Sequence, residues 1–187
     1  MSRNSAIKKK GGIEYLSALM LISLSGIILL YGIAAKELKV CQGIIRDGLD
    51  GACLAAALID RDEYAAGNGI VIDNYYRIRE IYCETLKETI GLTDEYHPLQ
   101  DAIYDDVTVS AFNVYSIAGG MLYTYEGSGE GEYQLKKSRY NGDEQTPDGI
   151  LIQSGTIYAE IGMRITSYFG ISSDVHLGTS VDVIEDK

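Results

Sequence analysis

From Tyr15 to Ala35 the chain carries only apolar, Ser, Gly and Tyr residues. As a helix rising 1.5 Å per residue, these 21 residues reach about 30 Å, the thickness of a bilayer's hydrocarbon core. The pattern predicts a transmembrane helix over residues 13–35, preceded by a basic leader, 1–12. Helical periodicity then continues through "KELKVCQGIIRDGLDGACLAAALIDRDEY". Leu38, Cys41, Ile45, Leu49, Ala52, Ala56 and Ile59 recur at three- and four-residue steps, with Lys36, Lys39, Gln42, Arg46 and Asp50 on another face. Nothing between Ala35 and Lys36 breaks a helix, so residues 36–64 are predicted to continue the span outward as a stalk with one apolar stripe to cover. Gly43, Gly48 and Gly51 weaken that helix and mark bends or close packing.

"AAGNGIVIDN" reads as a turn, with Asp73 as N-cap of a second helix over 73–91 that Gly91 ends. On it Tyr75, Ile78, Tyr82, Leu86 and Thr89 or Ile90 share a face. A loop with His97-Pro98 and the acids Asp101, Asp105 and Asp106 follows. From Val107 the period changes to two and the residues become β-branched and aromatic. In "GTIYAEIGMRITSYFGI" one face holds Ile157, Ala159, Ile161, Met163 and Ile165, the other Tyr158, Glu160, Arg164 and Thr166. Residues 107–187 thus read as four or five antiparallel strands with one buried face, for which the two helices are the available cover. The expected fold is α+β: a long N-terminal helix, transmembrane then stalk, a second helix and a C-terminal antiparallel sheet, residues 36–187 forming one domain outside the membrane.

Charge sets the topology. Arg3, Lys8, Lys9 and Lys10 precede the span with no acid among the first ten residues, so the positive-inside rule keeps the leader in the cytoplasm. Taking those four bases and Glu14 from the totals of 16 and 27 leaves 12 bases against 26 acids beyond the span, a formal charge of −14. Nucleic acid and anionic lipid are therefore poor partners for the exported part, and metal cations or basic protein surfaces better ones. A cleaved secretory signal would combine "MSRNSAIKKK" with a cut near Gly32-Ile33-Ala34, but the apolar run is longer than an ordinary signal core and opens on Glu14, which favours a retained anchor.

Chemistry-bearing motifs are sparse. The two histidines, His97 and His176, stand in a loop and a terminal strand, and no metalloprotease, nucleophile-elbow or phosphate-loop pattern occurs. "GSGEGEYQ" lies between strands and reads as a hairpin loop. "NGDEQTPDG" offers Asn141, Asp143, Glu144 and Asp148 as oxygen ligands, without the spacing of a calcium loop, and reads as a solvated turn. Cys41, Cys53 and Cys83 form no CxxC pair and read as small buried hydrophobes, a Cys83 pairing with one of the others remaining open. Neither catalysis nor a cofactor or metal is expected. Fifteen tyrosines with no tryptophan are unusual, and Tyr123, Tyr125, Tyr133, Tyr140, Tyr158 and Tyr168 are expected on strands, as a sheet surface or as contact area for another subunit.

One acid interrupts the membrane pattern. Glu14, followed by Tyr15, stands at the edge of the span just after "KKKGG". Lys10, one helical turn upstream, can pair with it, or a partner can come from another subunit, in which case the charge pair fixes register. A short basic leader, glycine, then Glu-Tyr and about twenty apolar residues resembles the N-terminus of type IV pilin-like proteins, and Glu14-Tyr15 with the Ala-rich "GACLAAALID" is most similar to the TadE-like pseudopilins of the tight-adherence branch. The motif likeness covers the first 60 or so residues, and the rest agrees in outline only. It implies a single-pass minor pilin or pseudopilin that helps assemble a surface pilus or secretion filament. Glu14 and Tyr15 would then be the assembly charge and its neighbour, Gly11 and Gly12 the processing site of a prepilin peptidase, and the partners would be other pilin subunits, the assembly machinery and the membrane. In that family Glu is usually the fifth mature residue, whereas Gly11 and Gly12 leave Glu14 only third or second after them, so either the cut is shifted or the leader stays as an anchor. The alternative function is a membrane-anchored binding or adhesion module whose acidic, Tyr-rich sheet meets a ligand without filament assembly.

Overall fold

The structure, a computed structural model, describes residues 3–58, 75–99, 103–153 and 155–182, with side chains of the first helix from residue 12 on. Helix α1 (Arg3–Leu58) runs 56 residues without a break, about 84 Å at the α-helical rise. The segments expected as leader, span and stalk are therefore one continuous helix, with no break in the backbone near residue 12 or 35. Residues 59–64 of the expected stalk, Ile59 included, lie outside the described residues, as does Asp73.

Helix α2 (Tyr75–Ile90) packs against the upper part of α1. Gly91 ends it at φ 70°, and the Leu92 amide donates to the Lys87 carbonyl at 2.8 Å, the backward bond of a Schellman cap. At the crossing, Gly48 lies against Ile90 and Thr89, while Gly43 and Gly51 face open space. Of the three stalk glycines only Gly48 serves close packing.

Five strands follow: β1 (Thr108–Ala118), β2 (Met121–Gly127), β3 (Gln134–Arg139), β4 (Thr156–Thr166) and β5 (Ser172–Asp182). They form one antiparallel sheet in the order β3-β2-β1-β4-β5. Gly119 and Gly120 (φ 59° and 76°) form the two-residue link between Ala118 and Met121, since both central positions of such a turn need the left-handed region. The "GSGEG" segment does join two paired strands, β2 and β3.

The core is the one the periodicities predict. Cys41, Ile45, Leu49, Ala52 and Ala56 of α1, the face Tyr75, Ile78, Tyr82, Leu86 and Ile90 of α2, and Ile157, Ala159, Ile161, Met163 and Ile165 of β4 are all buried in one cluster. The expectation of a single buried face needs correction. On the opposite face Tyr115, Leu122, Ile152 and Tyr158 form a second, smaller cluster, because the β3–β4 connection folds back over the sheet. The Tyr140 hydroxyl holds it there by donating to the Ile152 carbonyl at 2.6 Å.

Candidate functional site

Among the described residues one helix, the N-terminal one, is long and apolar enough to cross a membrane. Its side chains from Ile13 to Ile33 are exposed almost throughout, and Ala34 is the first buried residue. The domain therefore leaves bare a rod of about 20 residues, roughly 30 Å, and covers α1 only above it. Two of the three serines within this rod are matched locally. Ser17 Oγ donates to the Glu14 carbonyl at 2.9 Å and Ser25 Oγ to the Leu21 carbonyl at 2.8 Å, so neither hydroxyl needs water.

Glu14 is then the sole ionisable side chain besides Tyr between Gly12 and Ala35, and both it and Tyr15 are exposed. Lys8, Lys9, Lys10, Gly11 and Gly12 all lie on helical backbone, which brings Lys10 one turn before Glu14 on the same face. The side chains of the three lysines are outside the described set. A Cβ at Gly12 would meet nothing within 4 Å, so packing within the chain does not require glycine there.

Above the rod an apolar groove of about 600 Å³ opens between α1 and the segment before β1. Ile33, Val40, Ile44 and Ile103 wall it, and Tyr104 closes one side. Tyr104 is fixed by its hydroxyl, which donates to the Ile90 carbonyl, and by a bridge to Ile165. Val40 and Ile44 are 54% and 62% exposed, so α1 presents apolar surface beyond the end of the span. Sequence reasoning missed this face, because the stripe that packs on the sheet accounted for the strongest periodicity.

A polar cleft of about 380 Å³ lies between α2 and the β2–β3 loop, lined among others by Arg79, Cys83, Lys87, Tyr96 and Glu130. Tyr96 holds φ 62°, an uncommon conformation for a side-chain-bearing residue, and its ring lies 5.0 Å from the Lys87 ammonium. Burial, followed by its hydrogen bond with Cys83, pushes the Tyr96 phenol well up. The Arg79 guanidinium donates to the Gly131 carbonyl at 2.6 Å and sits over the Tyr75 and Tyr76 rings, so the cation is already engaged within the chain.

The remaining candidates are braced internally. His97 Nδ1 meets Asp106 at 2.5 Å, and the hydrogen bond and charge of that carboxylate raise the imidazole above its ordinary value. His176 faces Glu160 at 3.5 Å. In the acidic turn, Glu144 accepts the Asn141 and Gly142 amides at 2.9 Å each, which lowers its pKa, and Asp148 accepts from the Thr146 and Ser180 hydroxyls at 2.5 Å each. These carboxylates tie down a turn. Among the described residues no group of three or more His, Cys, Asp or Glu could hold a metal ion. Cys41, Cys53 and Cys83 are free thiols and buried, and burial raises all three.

The expected tyrosine surface is largely consumed inside the fold. Tyr125 and Tyr133 pack on Tyr75, Tyr158 is buried, and Lys137 covers the Tyr123 ring at 5.0 Å. Tyr133 and Tyr140 flank β3 rather than lying in it, and Tyr168 lies in the β4–β5 turn, where it is 83% exposed. Gly170 at φ 76° is the signal that "SYFG" turns instead of continuing the strand.

No protein-family model matches the chain, and no curated protein or solved structure matches it.

Proposed function

We propose that the chain is a single-pass membrane subunit of an assembly, a TadE-like minor pilin or pseudopilin in a type IV-like surface pilus or secretion filament. One observation carries the reading: a continuous helix leaves its apolar N-terminal part bare and bears a carboxylate, Glu14, at the lower edge of that bare surface. A plain anchor needs apolar residues only; a charge at a membrane edge calls for a partner, and a neighbouring subunit's N-terminal amine or basic leader supplies one. Lys8, Lys9 and Lys10 would keep the leader in the cytoplasm, with the acidic α+β domain on the other side. Gly11 and Gly12 are the candidate cut for a prepilin peptidase. The intact mass of the membrane protein reads this directly, since a start at Gly12 or Ile13 means processing and a start at Met1 or Ser2 means a retained leader.

Exchanging residues 13–35 for an unrelated apolar span tests the reading. The exchanged chain should insert and fold yet fail to join other subunits. Undiminished assembly would instead leave the rod as a simple tether for a binding domain.

A further inference from the structure

The β4–β5 turn offers two exposed aromatic rings, Tyr168 at 83% and Phe169 at 49%. Their position is fixed by the chain around them. The Thr166 amide donates to the Ile103 carbonyl at 2.6 Å, the Asp105 amide donates to the Arg164 carbonyl at 2.8 Å, and Tyr104 bridges to Ile165. Ile103 and Tyr104 in turn line the same groove as Ile33 and Lys36, where α1 emerges from the bare rod. Tyr168 stands three residues beyond Ile165, about 10 Å of extended chain. The aromatic tip is therefore at the end of the sheet from which the membrane span departs. The β1–β2 turn and Arg139, paired with Met121, are at the other end.

We propose that this tip, with the lower groove wall of Ile33 and Ile103, rests in the interfacial layer of the bilayer that α1 crosses. The proposal rests on α1 being a membrane span and adds a second, independent lipid contact that sets the tilt of the domain. Three observations favour a lipid surface as the occupant. Ile33 carries the apolar face of the rod up to the lower lip of the groove, below Lys36 and Glu37, so that lip meets the bilayer at its rim. Tyr168 combines an apolar ring with a hydroxyl suited to the headgroup region, where tyrosine concentrates, and Phe169 adds apolar area beside it. The tip also carries no charge: from Ile165 to Ser173 the sequence has none, and the flanking Arg164 and Asp174 neutralise each other at 2.7 Å across the two strands. An acidic domain would otherwise be held away from anionic headgroups.

The absence of tryptophan from the chain makes the test direct. Phe169→Trp, Tyr31→Trp in the rod and Arg139→Trp at the far end of the sheet each give the full-length protein a single tryptophan, excited apart from the tyrosines at the red edge of its absorption. Each variant is reconstituted in phosphatidylcholine vesicles and quenched by lipids brominated at shallow or deep acyl positions. Phe169→Trp should show a blue-shifted emission and be quenched severalfold more by the shallow label than Arg139→Trp, while Tyr31→Trp, about 6 Å inside the outer edge of the span, is quenched by both labels. Quenching of Tyr31→Trp with Phe169→Trp behaving like Arg139→Trp would overturn the tip contact and leave the span intact. An unquenched Tyr31→Trp would overturn the span, and this contact with it.

Discussion

Gly48 of α1 lies so close beneath Ile90 of α2 that a β-carbon at position 48 would strike the Ile90 methyl. The two helices meet there without room for a side chain at position 48, just before the Gly91 cap. Gly48→Ala should therefore destabilise the domain by about 1–3 kcal/mol through overpacking. Gly43→Ala, on an open helix surface, should stabilise it by up to about 1 kcal/mol. Denaturant unfolding of the two variants in detergent, monitored by near-ultraviolet circular dichroism, gives the two opposite signs.

That pair also marks how far sequence reading reaches. The stripe from Cys41 to Ala56 and the β4 face from Ile157 to Ile165 were legible because a buried face imposes its period, 3.6 or 2, on residue choice. Gly48 was visible as a glycine, but which of Gly43, Gly48 and Gly51 touches α2 depends on where the helices cross, which no local pattern encodes. The second cluster of Tyr115, Leu122, Ile152 and Tyr158 was hidden for the same reason, since Ile152 comes from an irregular connection without periodicity. Of the candidate site, Glu14 and the apolar rod were legible as a charge against an uncharged background. The groove and the Tyr168–Phe169 tip were not, because they depend on the bonds that bring Ile103 and Thr166 together.

A second close approach tests the sheet. The Tyr75 hydroxyl donates to the Phe112 carbonyl at 2.9 Å, and it occupies the space a β-carbon at Gly127 would need. Tyr75→Phe should cost about 1 kcal/mol for the lost hydrogen bond. Gly127→Ala should cost more in the wild-type background than in Tyr75→Phe, where the blocking oxygen is gone. A double-mutant cycle by urea unfolding measures that coupling, and additive effects would contradict the contact.

The His97–Asp106 pair predicts a pH response with a defined sign. Asp106 raises the folded-state pKa of His97 above its ordinary value of about 6.5. The associated stability is thus present in full below about 6.5 and disappears as pH rises through the elevated folded value. Titration of the His97 imidazole by NMR should show the raised midpoint, and Asp106→Asn should bring it back down. An unchanged midpoint in Asp106→Asn would contradict the pairing.

Three buried, free cysteines predict that stability is independent of reductant. Native protein should resist iodoacetamide at Cys41, Cys53 and Cys83, because burial disfavours each thiolate, and unfolded protein should take up three labels without prior reduction. Mass spectrometry counts them; a single label before reduction would reveal a disulfide.

The role of Glu14 is read from the fraction of membrane-inserted chain recovered in higher-order assemblies from the native host. Glu14→Ala should insert as well as wild type and abolish that recovery, because the bare helix loses the charge proposed to set its register. Recovery of Glu14→Ala equal to wild type would contradict the account and leave α1 as an anchor alone.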